Sequence, residues 1–251
     1  SRVRGIVPSQ DMYALIKWDW IWDSWVGSDN YEERSTNMSN YGAAGVDAAQ
    51  SESGDMGCVA AGKKNTLNFL KEFSCPDSNA IAYNMIFDDT ELISKGRNVY
   101  GLPTLKDLKI NASRVGVDVV GIGAGTVNTF KDENYEVQSL HGGQWDEAVP
   151  KDNEGKFIYE FNSLRSQMMY TLAIELQKGE IIIDLPEEIV KRLAKAAVTP
   201  RFKMDERKII IESKKDIKKR LGKSPNDLDA VMYWNWMRKD RTGDIGGLMI
   251  G

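Results

Sequence analysis

The sequence has very little histidine and cysteine, the residues on which many enzyme sites depend. Its 251 residues include one histidine, His141, and two cysteines, Cys58 and Cys75. Zinc hydrolases, nucleases that bind metal through histidine and Ser-His-Asp hydrolases all need a suitably placed imidazole. Two cysteines make neither a disulfide framework nor a zinc quartet, which is typical of a protein from a reducing compartment. Any chemistry in this chain must therefore be carried by carboxylates.

Long hydrophobic runs are also lacking. Apolar runs such as 181–183 and 209–211 are far shorter than the roughly 20 residues that a membrane span needs. We also expect no signal peptide. Hydrophobic residues make up 41% of the sequence, which is enough for a buried core. We therefore expect a soluble, intracellular globular protein with no membrane contact.

Positive charge is concentrated in one segment of an otherwise acidic chain. The net charge is −4, yet between Lys191 and Lys223 there are 13 Lys or Arg residues against 4 Asp or Glu. Such a segment is either a solvated helical surface or a surface that contacts phosphate groups. Composition alone leaves both interpretations open.

Hydrophobic patterning predicts two regions. Residues 1–40 contain four tryptophans within eight positions, followed by a polar stretch. We interpret them as a connector whose Trp cluster packs on a neighbouring domain. Residues 41–251 are expected to form one α/β domain, with strands at 42–49, 57–62, 66–73, 114–120 and 135–140 and helices at 79–96 and 126–134.

The five main strands are expected to form a mixed sheet flanked by helices. Short turns favour antiparallel pairing of the first three strands, and crossovers add two parallel strands, so that the fourth strand lies beside the first. Residues 181–184 and 208–212 are predicted to pair with each other around a helix at 187–197. A last helix is predicted to begin at Ser224-Pro225, a favourable N-cap and first-turn pair.

Two aspartates lie inside apolar strands. Asp47 is found in Ala-Gly-Val-Asp-Ala-Ala and Asp118 in Val-Gly-Val-Asp-Val-Val. A buried carboxylate costs several kcal/mol unless it is paired, hydrogen-bonded or bound to metal. Neighbouring strands lie about 4.8 Å apart, so two such aspartates at matching depth can bracket one cation. Asp229, in the first turn of the last helix and on the same face as Met232 and Tyr233, is the predicted third acid.

Three clustered carboxylates repel one another unless a cation lies between them. Mg²⁺ and Mn²⁺ prefer oxygen ligands, and two such ions can activate a water and stabilise the leaving 3′ oxygen of a phosphodiester. We therefore predict Asp47, Asp118 and Asp229 as catalytic metal ligands. Asp55, eight residues after Asp47, is a candidate fourth ligand, direct or through water. Asp227 is either a ligand or an ordinary partner of the helix dipole.

These residues resemble the nuclease domain of phage large terminase subunits, which is of the ribonuclease H-like superfamily. The Trp-rich opening is similar to the connector between that family's motor and nuclease domains. The other similar features are Gly45-Val46-Asp47 with Gly54-Asp55, Val117-Asp118 followed by Gly121-Ile122-Gly123, Ile211-Glu212-Ser213-Lys214, Lys219-Arg220, and Ser224-Pro225 running into Asp229-Ala230.

The resemblance implies a ribonuclease H-like mixed five-stranded sheet, three antiparallel strands then two parallel, flanked by helices. It implies an endonuclease of low sequence specificity that uses two Mg²⁺ or Mn²⁺ ions to cut concatemeric double-stranded viral DNA in the host cell cytoplasm. Other terminase subunits and the portal are the implied partners of the full-length subunit. Resemblance and charge together make Lys214, Lys215, Lys218 and Arg220 the candidate contacts to DNA phosphates.

The chain departs from that family in one respect, because it contains no G-x-x-x-x-G-K-[ST] phosphate-binding loop. We therefore expect no ATP hydrolysis here, with the chain either a C-terminal fragment or separate from its motor. A dinucleotide-binding loop at Gly121-Ile122-Gly123 is disfavoured, since Thr126 stands where its last glycine is needed. The remaining alternatives are a Holliday-junction resolvase, an actin-like or sugar-kinase nucleotide fold, and a non-catalytic assembly module.

Overall fold

The protein is built on a mixed sheet, seen in a computed structural model that describes residues 13–29, 42–48, 56–74, 77, 79–120, 123–143, 160–206 and 208–239. The described residues form the strands β1 (Gly42–Asp47), β2 (Gly57–Lys63), β3 (Thr66–Phe73), β4 (Val115–Asp118), β5 (Gln138–Leu140), β6 (Glu160–Phe161), β7 (Ile182–Ile183), β8 (Phe202–Asp205) and β9 (Lys208–Ile211). They form the helices α1 (Trp18–Asp23), α2 (Asn79–Ile86), α3 (Asp89–Ser94), α4 (Leu105–Leu108), α5 (Gly123–Asp132), α6 (Leu164–Gln177), α7 (Glu187–Ala197), α8 (Lys214–Leu221) and α9 (Asn226–Met237).

The main sheet has the strand order β5-β4-β1-β2-β3-β7. β1, β2 and β3 are antiparallel, whereas β4 runs parallel to β1 and β5 parallel to β4. This confirms the predicted α/β class, with three antiparallel strands, then two parallel ones, and the fourth strand beside the first. The short β7 adds a sixth strand, parallel to β3.

Helix α9 lies directly on the sheet, and a glycine in β1 makes this possible. A Cβ atom on Gly45 would lie 2.2 Å from both the carbonyl oxygen of Ala230 and the backbone nitrogen of Trp234. The side chains of Cys58 and Ala60 in β2 belong to the core on this side of the sheet. Those of Val46 and Val59 belong to a second core that includes α2 and α5. The C-terminal helix is therefore fixed in close contact with the strand that ends at Asp47.

Two local predictions were wrong. The single helix expected at 79–96 is divided into α2 and α3, because Asp88 forms a capping box with Glu91 that begins a new helix. The expected pairing of 181–184 with 208–212 does not form. β7 pairs with β3, while β9 pairs with β6 and β8 in a separate three-stranded sheet. Short apolar strands carry no signal for the choice of partner, which explains this error.

The described part of the Trp-rich segment packs on the sheet domain. Ile16 and Ile21 are buried in the same core as α6, α7 and α9. The indole nitrogen of Trp25 donates to the Leu185 carbonyl at 2.9 Å, and the Trp22 ring lies 5.0 Å from that of Trp25. The predicted boundary at residue 40 falls outside the described residues and stays a prediction. Among the described helices, none is long and apolar enough to span a membrane.

Candidate active site

Three aspartates from separate elements meet at the C-terminal ends of strands β1 and β4. Asp47 and Asp118 are the last residues of the parallel neighbours β1 and β4, and the pairing of Val46 with Val117 places them side by side. Asp229 lies in the first turn of α9, which packs across both strands. Asp47 and Asp229 are fully buried and Asp118 is 7% exposed. The structure thus brings together the three acids that the sequence singled out.

Lys214 supplies positive charge between two of these acids. Its Nζ atom lies 2.8 Å from each carboxylate oxygen of Asp47 and 3.5 Å from Oδ2 of Asp229. It is the first residue of α8, whose beginning is fixed by the N-cap Ser213. The sequence predicted Lys214 as a contact to phosphate. In this structure the ammonium group instead pairs with the acids, so that prediction remains untested.

Arg165, in the first turn of α6, holds Asp229. Its Nη2 atom lies 2.7 Å from Oδ1 of Asp229, and its Nη1 donates to the Glu212 carbonyl at 3.1 Å. The other oxygen, Oδ2 of Asp229, is buried and makes no hydrogen bond within the described structure, although Lys214 lies within ion-pair distance. One oxygen of this carboxylate is therefore committed to Arg165, and the other faces the cluster.

Asp118 is held by its own turn and by α9. The Val120 backbone N–H donates to Oδ1 of Asp118 at 3.0 Å, and the Tyr233 hydroxyl is a second hydrogen-bond partner. A Cβ on Gly123 would lie 1.6 Å from the carbonyl oxygen of Asp118, so only glycine lets α5 begin this close to the end of β4. Tyr233 lies four residues after Asp229, so one face of α9 serves two of the three acids.

Burial dominates the ionisation of the cluster. It raises the pKa of Asp47 to about 7, an effect only partly offset by the charge of Lys214. It also raises the pKa of Asp118, against the hydrogen bond from Val120. Burial alone would lower the pKa of Lys214, but Asp47 and Asp229 together raise it above its ordinary value. The group therefore has an excess of buried negative charge that one lysine does not fully compensate.

The donor set of the cluster fits a hard divalent cation. It consists of carboxylate oxygens, which Mg²⁺ and Mn²⁺ prefer, and it includes the buried Oδ2 of Asp229 with no hydrogen bond. In the described ranges, however, no three His, Cys, Asp or Glu side chains stand arranged as a ready-made metal site. The Lys214 ammonium lies between Asp47 and Asp229 instead. A cation bound between Asp47 and Asp229 would therefore compete with the Lys214 ammonium for the same oxygens.

The other predicted site residues are basic side chains of α8 or lie outside the described structure. Asp55 belongs to residues that the structure does not describe. In α8, Lys215 is exposed and Lys218 is half-buried. The Arg220 guanidinium donates to Glu212 and to the Thr199 carbonyl, both at 2.6 Å. The prediction that these three basic residues contact phosphate stays open.

Asp227, which the sequence left undecided, forms an ion pair on another side of α9. Nε of Arg192 lies 2.6 Å from its Oδ2, and Nη2 lies 3.0 Å from its Oδ1. Both oxygens are thus bound by one guanidinium. The thiol of Cys58 is a further neighbour, 3.5 Å from Oδ1. In this structure Asp227 is a structural acid of the α7–α9 contact.

Sequence reasoning missed Arg165 as a partner of the acids and did not assign a role to Tyr233. The position of Tyr233 on the inward face of α9 was a usable signal, because it follows from helical spacing. Arg165 carried no such signal, since it precedes Asp229 by 64 residues and belongs to a different helix.

No protein-family model and no curated protein matches the chain. Its structure is similar to the nuclease domain of the large terminase subunit gp2 of bacterial virus Sf6. The TM-score is 0.62 and the sequence identity 18%, over 88% of this chain and 98% of that domain. A lysine-to-alanine variant of that domain with manganese and beta-thujaplicinol has a TM-score of 0.62 and 17% identity, and the same values hold for the variant with calcium. The chain therefore has the fold of a phage large terminase nuclease domain, as the sequence resemblance predicted.

Proposed function

We propose that this chain is a divalent-metal-dependent endodeoxyribonuclease, the cutting domain of a viral genome-packaging terminase. The observation that carries the proposal is the meeting of Asp47, Asp118 and Asp229 from β1, β4 and α9, with a buried carboxylate oxygen that has no hydrogen bond. Support comes from the shared fold with the Sf6 domain, of which a lysine-to-alanine variant was solved with manganese and with calcium.

Asp47, Asp118 and Asp229 would hold the metal, two Mg²⁺ or Mn²⁺ ions in our proposal. Bound there, the metal supplies a water of lowered pKa and stabilises the oxygen that leaves the phosphodiester. The chain's own residues prepare this site. Tyr233 and the Val120 N–H orient Asp118, and Arg165 orients Asp229. Lys214 balances part of the charge of Asp47 and Asp229.

The proposed substrate is concatemeric double-stranded DNA. Helix α8 begins at Lys214 and continues through Lys215 and Lys218, so the basic side chains follow directly from the acid cluster. A duplex backbone lying along α8 would have a phosphate close to the three acids, and phosphate contacts of this kind give affinity without sequence specificity. Host cell cytoplasm as the location, and other terminase subunits and the portal as partners, belong to the same proposal.

Incubation of supercoiled plasmid with the protein and Mn²⁺ tests the activity. We expect nicked and then linear DNA, and no cleavage when EDTA is present. The variant Asp118→Asn should lose activity by about 100-fold or more, because a metal ligand is removed. Asp132→Asn, at the exposed end of α5, is the matched control and should cut like the parent. Cleavage by Asp118→Asn at the parental rate contradicts the proposed site.

The choice of DNA substrate separates a terminase nuclease from a junction resolvase. A terminase nuclease should cut linear duplex and plasmid without requiring a branch. A resolvase should cut a four-way junction of the same sequence far faster than the linear duplex. A protein that folds, binds DNA and cuts neither substrate with Mg²⁺ or Mn²⁺ would instead be a non-catalytic assembly module.

A further inference from the structure

The first turn of α9 carries two aspartates that are held by arginine in two different ways. Asp227 is held by Arg192 through both of its oxygens. Asp229, two residues later, is held by Arg165 through Oδ1 alone, and its Oδ2 is buried without a hydrogen bond. An arginine that anchors a carboxylate frequently binds both of its oxygens, as Arg192 does here. The one-oxygen contact at Asp229 leaves the second oxygen on the side of the cluster, where its charged neighbour is Nζ of Lys214 at 3.5 Å.

The other terminal nitrogen of the Arg165 guanidinium contacts the segment that carries Lys214. Its Nη1 donates to the Glu212 carbonyl at 3.1 Å, two residues before Lys214. One rigid guanidinium therefore joins α9, which carries Asp229, to the junction between β9 and α8. Arginine can make two contacts in fixed directions from one planar group, whereas the single ammonium of lysine has no such fork.

The backbone of Arg165 is fixed by hydrogen bonds and by the packing of helix α6. Its backbone N–H donates to the Gly142 carbonyl at 3.1 Å, and α6 is capped by Ser163. Farther along α6, Met168 and Leu172 are completely buried in the main core. The backbone of Arg165 is therefore fixed in the core, while its guanidinium contacts α9 and the residue before the N-cap of α8.

From this geometry we propose that Arg165 is a positioning residue: it turns Asp229 so that Oδ2 points to the metal position, and it fixes the distance between Asp229 and the Lys214 segment. The proposal rests on the proposed function, since it requires that the cluster binds a divalent cation. Arg165 acts through Asp229, and no contact of Arg165 with the metal or with DNA is implied.

Mn²⁺ binding in the absence of DNA, measured by titration calorimetry, tests the proposal directly. Arg165→Lys keeps the charge and removes the fork, so we expect affinity for Mn²⁺ to fall by about 10-fold to 100-fold. Arg192→Lys makes the same change at Asp227 and is the matched control. It should lower the melting temperature while leaving Mn²⁺ affinity unchanged. Equal Mn²⁺ binding by Arg165→Lys and the parent, or an equal loss in Arg192→Lys, overturns the proposal.

Two further measurements separate positioning from a general loss of structure. The Mn²⁺ concentration for half-maximal plasmid cleavage should rise in Arg165→Lys, and the rate at saturating Mn²⁺ should return close to the parental rate. A double-mutant cycle compares the effect of Arg165→Lys in two backgrounds. The change should lower Mn²⁺ affinity in the parent, and it should cause no further loss in a protein that already carries Asp229→Asn. An undiminished loss in the Asp229→Asn background shows that Arg165 does not act through Asp229 and overturns the proposal.

The parent protein makes the two possible failures distinguishable. If the parent binds no Mn²⁺, both the proposed function and the role of Arg165 are wrong. If the parent binds Mn²⁺ and cuts DNA, and Arg165→Lys does both equally well, only the role of Arg165 is wrong.

Discussion

Gly45 and Ala230 are in direct backbone contact across the interface of β1 and α9. A Cβ on Gly45 would lie 2.2 Å from the carbonyl oxygen of Ala230. Asp47 lies two residues after Gly45, and Asp229 immediately precedes Ala230. The close approach of the two backbones therefore sets the separation of two of the three acids.

Gly45→Ala should damage both stability and the candidate site. The added methyl group must push α9 away from β1, which we expect to cost about 1–3 kcal/mol in the free energy of unfolding. The same shift moves Asp229 from Asp47, so Mn²⁺ affinity should fall. Urea unfolding and titration calorimetry measure the two effects. Gly143→Ala is the control, because a Cβ there meets no atom within 4 Å. An unchanged Mn²⁺ affinity in Gly45→Ala would show that the helix position does not control the site.

Lys214→Met should make the protein more dependent on metal. Without the ammonium group, the buried Asp47 carboxylate loses its partner, and loss of one member of a buried pair costs up to about 3–5 kcal/mol. The metal-free melting temperature should therefore fall. Because the competing positive charge is gone, Mn²⁺ should raise the melting temperature more in Lys214→Met than in the parent. Lys215→Met, on the exposed side of α8, should behave like the parent in both respects. A smaller Mn²⁺ effect in Lys214→Met than in the parent contradicts this prediction.

The metal-free protein should lose stability as the pH rises toward neutrality. Burial raises the pKa of Asp47 in the folded protein to about 7 from 3.8, so the folded state keeps a proton that the unfolded chain releases. The stabilisation is fully present below about pH 4 and is lost progressively up to about pH 7. Urea unfolding in EDTA at several pH values measures the slope. Asp47→Asn should show a shallower decline, because it has no proton to lose. Equal slopes for the parent and Asp47→Asn would show that Asp47 is not the group whose raised pKa causes the loss of stability.

Tyr233→Phe should weaken the site without unfolding the protein. The change removes one hydrogen bond to Asp118 and keeps the buried ring in place. We expect Mn²⁺-dependent cleavage to fall by about 10-fold, as is typical for loss of a group that orients a metal ligand. Circular dichroism should be unchanged. Parental cleavage rates in Tyr233→Phe would show that the Val120 N–H alone is enough to orient Asp118.

Much of the fold was accessible from the sequence because its signals are local. The apolar strands and short turns predicted β1, β2 and β3 and their antiparallel order, and the crossover rule placed β4 beside β1. Helix α9 was predicted from Ser224-Pro225 and from its apolar residues, although its N-cap is Pro225 and not Ser224. Where two local signals competed, as at Asp88, the cap divided a helix that hydrophobic spacing alone had predicted as one.

The sequence by itself determined the chemistry that is available and the three acids that could perform it. With one histidine and two cysteines, the chemistry had to rest on carboxylates, and an aspartate inside each of two predicted apolar strands needed a partner. Only the tertiary structure decided what those partners are. Lys214 meets Asp47 across 167 residues of chain, and Arg165 meets Asp229 across 64. No periodicity links positions so far apart, because their contact depends on how whole helices pack on the sheet. The same packing pairs Asp227 with Arg192 and leaves Oδ2 of Asp229 without a hydrogen bond in the described structure.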